Sequence, residues 1–147
     1  MHQIENILIS VEHSYALRML EGLKTAELRR RQLRIKPGTR VWVYSKLPRG
    51  HVDLVATADE VVAASPRRLW DLYKDRIAIT SSEFKNYLNG VEIGCAILLR
   101  NITPLQPALE LDTLRRISRN FHPPQFFKRL VPQGAELKHL ASAFPSN

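Results

Sequence analysis

The chain is short of cysteine, of acid and of long apolar runs. Its one cysteine, Cys95, excludes an internal disulfide and a cysteine-built zinc site. No apolar run approaches the ~20 residues of a membrane helix. The start, Met1-His2-Gln3-Ile4-Glu5-Asn6, has neither the cationic opening nor the apolar stretch of a signal peptide. A cytoplasmic protein with no membrane attachment is the expectation. The five histidines (His2, His13, His51, His122 and His139) are scattered without metal-ligand spacing. Glycine-rich phosphate loops, an H-E-x-x-H helix and a G-x-S-x-G elbow are missing. No metal and no cofactor is therefore expected. Acids number 14 against 22 bases, a net charge of +8 over 147 residues. That excess favours a polyanionic partner, nucleic acid or nucleotide ahead of a membrane surface.

What is present suffices for one domain over residues 1–147, with 44% hydrophobic residues to build its core. Ile7 to Val11 reads as a buried strand. Ala16, Met19, Leu20 and Leu23 recur at helical spacing, and Gly22 is placed to end that helix. Thr25 to Arg31 alternates as a strand. Arg40-Val41-Trp42-Val43-Tyr44-Ser45 is a strong strand after the Pro37-Gly38 turn. Val52 to Ala64 is a long strand with a bend expected near Asp59-Glu60. Ser65-Pro66 opens a helix whose face is Leu69, Trp70, Leu72 and Tyr73. Thr80-Ser81-Ser82-Glu83 fits a capping box for a second helix, with Phe84, Tyr87 and Leu88 inward. Ile93 to Ile102 is a buried strand, and Pro104 and Pro107 predict an edge or extended passage after it. Leu111 to Ile117 suits a helical turn or two. Residues 131–147 form a C-terminal extension whose final residues are expected to be loosely held. The order predicts an α+β fold: a mostly antiparallel, curled sheet or small β-barrel with helices at its side.

The chemistry gathers around Gly22-Leu23-Lys24-Thr25-Ala26-Glu27-Leu28-Arg29. In a strand here Glu27 and Arg29 share a face with Thr25, and Lys24 leans over its edge. A surface strand with a solvated charge pair is the plain alternative. From Arg29 to Arg40 six bases (Arg29, Arg30, Arg31, Arg34, Lys36, Arg40) run without an acid, a phosphate track or a solvated face in equal measure. Lys24 and Glu27 would keep each other charged if paired. The carboxylate can then accept from a base amine while Lys24 or Arg29 meets a carbonyl or phosphate. Trp42, Tyr44 and Phe126 are candidate stacking surfaces, with core packing favoured for Trp42.

The pattern strand, helix, Gly22-x-Lys24-Thr25-x-Glu27-x-Arg29 resembles the signature of ASCH domains, the activating-signal-cointegrator homology group of the PUA-like superfamily. Lys36 to Tyr44, Ser65-Pro66-x-x-Leu69-Trp70, Ser82-Glu83-Phe84-x-x-Tyr87-x-x-Gly90 and Pro123-Pro124-Gln125-Phe126-Phe127 extend the likeness over residues 5–130. It implies a PUA-like barrel and a basic cleft beside it that takes RNA or a nucleobase, lined by Lys24, Glu27 and Arg29. Thr25, Arg30, Arg31 and Arg40 complete the expected binding set. An RNA-binding module is the leading expectation. The alternatives are an amidohydrolase acting on a modified nucleoside and a transcription-regulatory interaction domain. One branch of the family hydrolyses an acyl amide on a modified cytidine through a lysine, a threonine and a glutamate. Lys24 matches that lysine, but the threonine's place falls on Glu27. As an enzyme the chain would rely on Lys24, with Glu27 or Glu60 as its partner. No helix-turn-helix or zinc module supports sequence-specific reading of DNA.

Overall fold

The computed structural model describes residues 3–143, so the expectation for the final residues, as far as it concerns 144–147, lies outside it. In chain order the elements are β1 (Asn6–Val11), α1 (His13–Leu20), β2 (Ala26–Arg29), β3 (Arg40–Ser45), β4 (His51–Ala64), α2 (Pro66–Ile77), α3 (Ser81–Tyr87), β5 (Gly94–Glu110), α4 (Leu111–Ile117), β6 (Phe127–Arg129) and α5 (Ala135–Ser142). The strands form one sheet in the order β2-β5-β4-β3-β1-β6. β1 runs parallel to β3, and every other neighbouring pair is antiparallel. The sheet curls into a half-barrel with the helices around it, the expected PUA-like α+β fold.

Alternation along β3 divides the interior. Val41 and Val43 join Ile7, Ile9 and Ile97 in one core, while Trp42 and Tyr44 join Leu8, Val55 and Phe121 on the opposite face. Trp42 is a packing residue, 1% exposed, with its indole N–H donated to Asn6 at 2.9 Å. A third core forms where α2 and α3 cover Ala26, Leu28, Ala96 and Leu98. β4 slips register between Ala58 and Glu60, at the expected bend.

β5 runs past Ile102, where the sequence predicts the end of the buried strand, and takes in the segment that Pro104 and Pro107 predict as an edge or extended passage. It continues through both prolines to Glu110, with Pro104 opposite Leu54 on β4. The reason is that β2 is short and covers β5 only from Cys95 to Leu98. Beyond that, one side of β5 is an edge, where a residue without an N–H donor is tolerated. The helix faces are also narrower than their periodicity suggests. Leu69 and Ile77 carry α2 into the core, whereas Leu72 is half-exposed, as are Leu20 and Leu23 around the end of α1. Among the described residues no helix is long and apolar enough to cross a membrane.

The two outer strands of the curled sheet, β2 and β6, do not pair. Arginines bridge the seam between them. Arg29 on β2 donates to the carbonyls of Gln125 and Phe126, just before β6, at 3.3 and 2.6 Å. From the other side Arg129 on β6 donates to the Arg34 carbonyl at 2.6 Å.

Candidate functional site

Lys24 reaches its place through a turn. Gly22 adopts φ +80° after α1, a conformation costly for any residue with a Cβ. The Leu23 and Lys24 N–H groups fold back onto the Arg18 carbonyl. The chain then drops Lys24 inward to 1% exposure. There its Nζ donates to the Ile77 carbonyl at 2.8 Å, lies 3.5 Å from Glu27 Oε1, and sits 4.8 Å from the centre of the Tyr15 ring. Ile77 ends α2, so Lys24 satisfies one of the helix's orphan carbonyls. Two neighbouring carbonyls are met in the same way, Arg76 by the Thr25 N–H and Ala78 by Arg18.

Glu27 and Arg29 share the other face of β2 from Ala26 and Leu28, as alternation requires. They are not a solvated pair: they are 4% and 9% exposed. Glu27 Oε2 accepts from Arg29 Nη1 at 3.2 Å, and that nitrogen also donates to the Ser10 carbonyl at 3.2 Å. With Gln125 and Phe126, Arg29 therefore serves four protein acceptors. Its fork is committed to building the site, with its charge left to act at range. Glu27 has one charged neighbour on each oxygen, and each oxygen can accept again.

Burial pushes the Lys24 ammonium below the ordinary lysine value, and Glu27 only partly offsets it. Lys24 therefore gives up its proton more readily than a surface lysine. Burial raises Tyr15, with Glu83 and Glu27 adding to the shift, and burial likewise raises Tyr87.

These groups line a cleft of about 140 Å³ with Ser10, Tyr15, Lys46 and Tyr87, roughly ten times what a single water needs. Ser10 is 5% exposed, and its buried hydroxyl has no hydrogen-bond partner in the protein. The sequence reading missed Ser10, Tyr15 and Lys46, because a strand serine, a helix tyrosine and a loop lysine carry no local pattern. Tyr87, expected to face inward from its helix, does not join the core. It is 37% exposed, with its hydroxyl donated to the Leu28 carbonyl at 3.1 Å.

Of the other expected binding residues, Arg30 and Arg31 line an adjoining cavity. Arg30 donates to the carbonyls of Tyr87 and Asn89 at 2.6 and 3.2 Å. Thr25 turns to α2, where its hydroxyl accepts from Arg76 Nε at 2.9 Å, and it does not line the cleft. Arg40 begins β3 and lines neither cavity; Glu60 is exposed on β4. Among the described residues, no three His, Cys, Asp or Glu side chains are grouped as metal ligands.

This half-barrel is the PUA-like fold of an ASCH domain, as the relatives of the chain show. More particularly, residues 4–132 match the family model described as "Domain of unknown function (DUF365)", and the chain belongs to that family. A protein of Zymomonas mobilis named "ASCH domain-containing ribonuclease" is 32% identical over 117 residues, 80% of this chain and 78% of that one. The crystal structure of ASCH from Zymomonas mobilis superposes with a TM-score of 0.88 at 29% identity, covering 96% of each chain. Human THYN1, solved in complex with 5-methylcytosine-containing DNA, shares the fold at a TM-score of 0.56 and 9% identity, covering 97% of this chain and 99% of that one.

Proposed function

We propose that the protein is an RNA-binding module that seats one unpaired base in the cleft between Lys24, Glu27 and Arg29. The observation that carries this reading is the Glu27 carboxylate, buried between two cations yet able to accept further hydrogen bonds. A buried acceptor held in fixed orientation suits the exocyclic amine of a base. The Ser10 hydroxyl beside it can complete the base edge. The cleft's mouth carries Lys46, and the adjoining cavity carries Arg30 and Arg31, cations suited to a phosphate backbone. Unpaired RNA is the expected form, because a base inside a duplex cannot present its edge to so narrow a cleft.

A second reading, RNA cleavage, is favoured by the Zymomonas relative's name. Lys24, with its lowered proton affinity, and Glu27 would share the proton transfers such a step requires. Hydrolysis of a nucleoside amide has less support, since no threonine is among the residues lining the cleft. A transcription-regulatory role has no observation in its favour here.

The test is binding of single-stranded RNA over a salt series, with duplex DNA alongside, for wild type, Glu27→Gln and Lys24→Met. Glu27→Gln keeps the shape of the side chain and removes its charge. The expected result is RNA binding that weakens with salt, exceeds binding to duplex DNA, and falls about tenfold or more in Glu27→Gln, the scale of one lost charged hydrogen bond. Thermal melts separate loss of binding from loss of fold, which matters most for Lys24 because it also caps α2. Equal affinity of Glu27→Gln and wild type would overturn the cleft reading. Shortened RNA in the wild-type samples alone would promote the cleavage reading.

A further inference from the structure

The cleft is not closed on its outer side. It continues into a second cavity of about 370 Å³, and the two share Ser10, Arg29, Lys46 and Tyr87 as lining. The second cavity has a different character. Arg29, Arg30, Arg31 and Lys46 line it, and no carboxylate does. Phe126 stands in its wall half-exposed, with the Arg31 guanidinium 4.3 Å from the ring centre. Arg31 has no carboxylate partner among the described residues. The backbone beneath the ring is fixed, because the Phe126 carbonyl is held by Arg29.

Resting on the reading of the first cleft, we propose that this cavity is the subsite for the adjoining nucleotide of an unpaired strand. Its phosphate passes the junction at Ser10 and Lys46, and its base stacks against the Phe126–Arg31 pair. Three features converge on this assignment. The junction holds a buried hydroxyl with no protein partner, which can donate to a phosphate oxygen while its lone pairs accept from the edge of the first base. The cavity's charge is entirely positive, in contrast to the first cleft, where Glu27 and Glu12 sit among the cations. The flat aromatic–guanidinium surface is of the kind on which a splayed base stacks, and it is placed where burial gains nothing for the core. Together the two cavities define a ligand of at least two linked nucleotides, one read by its edge and the next held by its face and its phosphate.

The probes are the four ribonucleosides and the sixteen dinucleoside monophosphates, the latter 2′-O-methylated at the first sugar so that any cleavage through that hydroxyl is blocked. Affinities are measured by calorimetry for wild type, Phe126→Ala, Arg31→Ala and Ser10→Ala. Phe126 and Arg31 are surface side chains, so the first two variants are expected to fold as wild type does. The best dinucleoside monophosphate should bind about tenfold or more tightly than the best nucleoside, the scale of one added stacked base. Phe126→Ala and Arg31→Ala should each remove most of that gain and leave nucleoside affinity unchanged. Ser10→Ala should weaken both ligands. If nucleosides bind but the second nucleotide adds nothing, or its gain survives both surface substitutions, the second subsite is wrong while the first cleft stands. If neither class of probe binds, both readings fall.

Discussion

Asp53 illustrates how single residues here are set against their own burial. It is 6% exposed on β4, close to α1 and the β3–β4 loop. Burial pushes its carboxyl upward, but hydrogen bonds from Arg49 and from Ser45 at 2.6 Å outweigh that and hold it below the ordinary carboxylate value. A carboxyl with a depressed folded-state pKa stabilises the fold above its unfolded value near 3.8 and loses that contribution as pH falls through the folded value. Asp53→Asn is therefore expected to lose about 1–2 kcal/mol at pH 7, toward the lower figure because Arg49 is about a third exposed and screened by solvent. Melting temperatures between pH 7 and pH 2.5 check this: wild type and variant should converge in acid, and a constant gap would refute the assignment. Lys24 works in the opposite sense. Its folded pKa is lowered, so carrying its charge costs stability below that value, and the cost fades as pH rises towards 10.5. Neither residue's balance was legible in the sequence. Lys24 depends on a carbonyl 53 residues along the chain, that of Ile77, and no local pattern reports which carbonyl a lysine will meet. The partners of Asp53, Ser45 and Arg49, are near in sequence but come together only when the β3–β4 loop folds back.

At the scale of elements, α3 ties local sequence to the site. The Thr80 side chain accepts from the Glu83 N–H at 3.1 Å, and Glu83 reaches back to Thr80. This reciprocal cap holds a helix of seven residues, too short to persist by propensity alone. The last residue of α3 is Tyr87, which walls both cavities and anchors Leu28 and Arg30. Thr80→Ala is expected to cost about 1 kcal/mol, or roughly 2–4 °C in melting temperature. It should also weaken RNA binding without touching the ligand. A melt unchanged to within 1 °C would show that packing of Phe84, not the cap, holds the helix. The cap, the proline at the start of α2, the face alternation of β2 and β3 and the bend in β4 were all readable, because each is fixed within a few residues. The extent of β5 and the exposure of Leu72 and Tyr87 were not, because each depends on which element covers which.

The whole molecule is a curled sheet left open along one side, and its arginines cross the opening. Arg29 makes contacts that a lysine cannot copy, since only a planar fork reaches Ser10, Glu27, Gln125 and Phe126 together. Arg29→Lys retains the net charge of +8 but should loosen both the cleft and the aromatic segment. Expected are a destabilisation of about 2–3 kcal/mol and faster amide exchange in β2 and β6, with exchange in β3 and β4 little changed. Uniform acceleration across the sheet would instead mean that the seam is not a separate unit. The sequence placed Glu27 and Arg29 on the right strand and Lys24 at its entry, but not the gap they face. That gap exists only once the first and last strands of the sheet approach each other.

The bridged seam bears on self-assembly as well. An unpaired strand edge invites another copy of the chain to add to it. Here β2 and β6 turn their open edges toward one another, and β5 blunts its own with two prolines. Heating with light scattering as the readout should show Arg29→Lys clouding earlier than its melting temperature alone explains, and RNA that fills the cleft should delay it. The guanidinium that shapes the site would then also be what keeps the protein from polymerising.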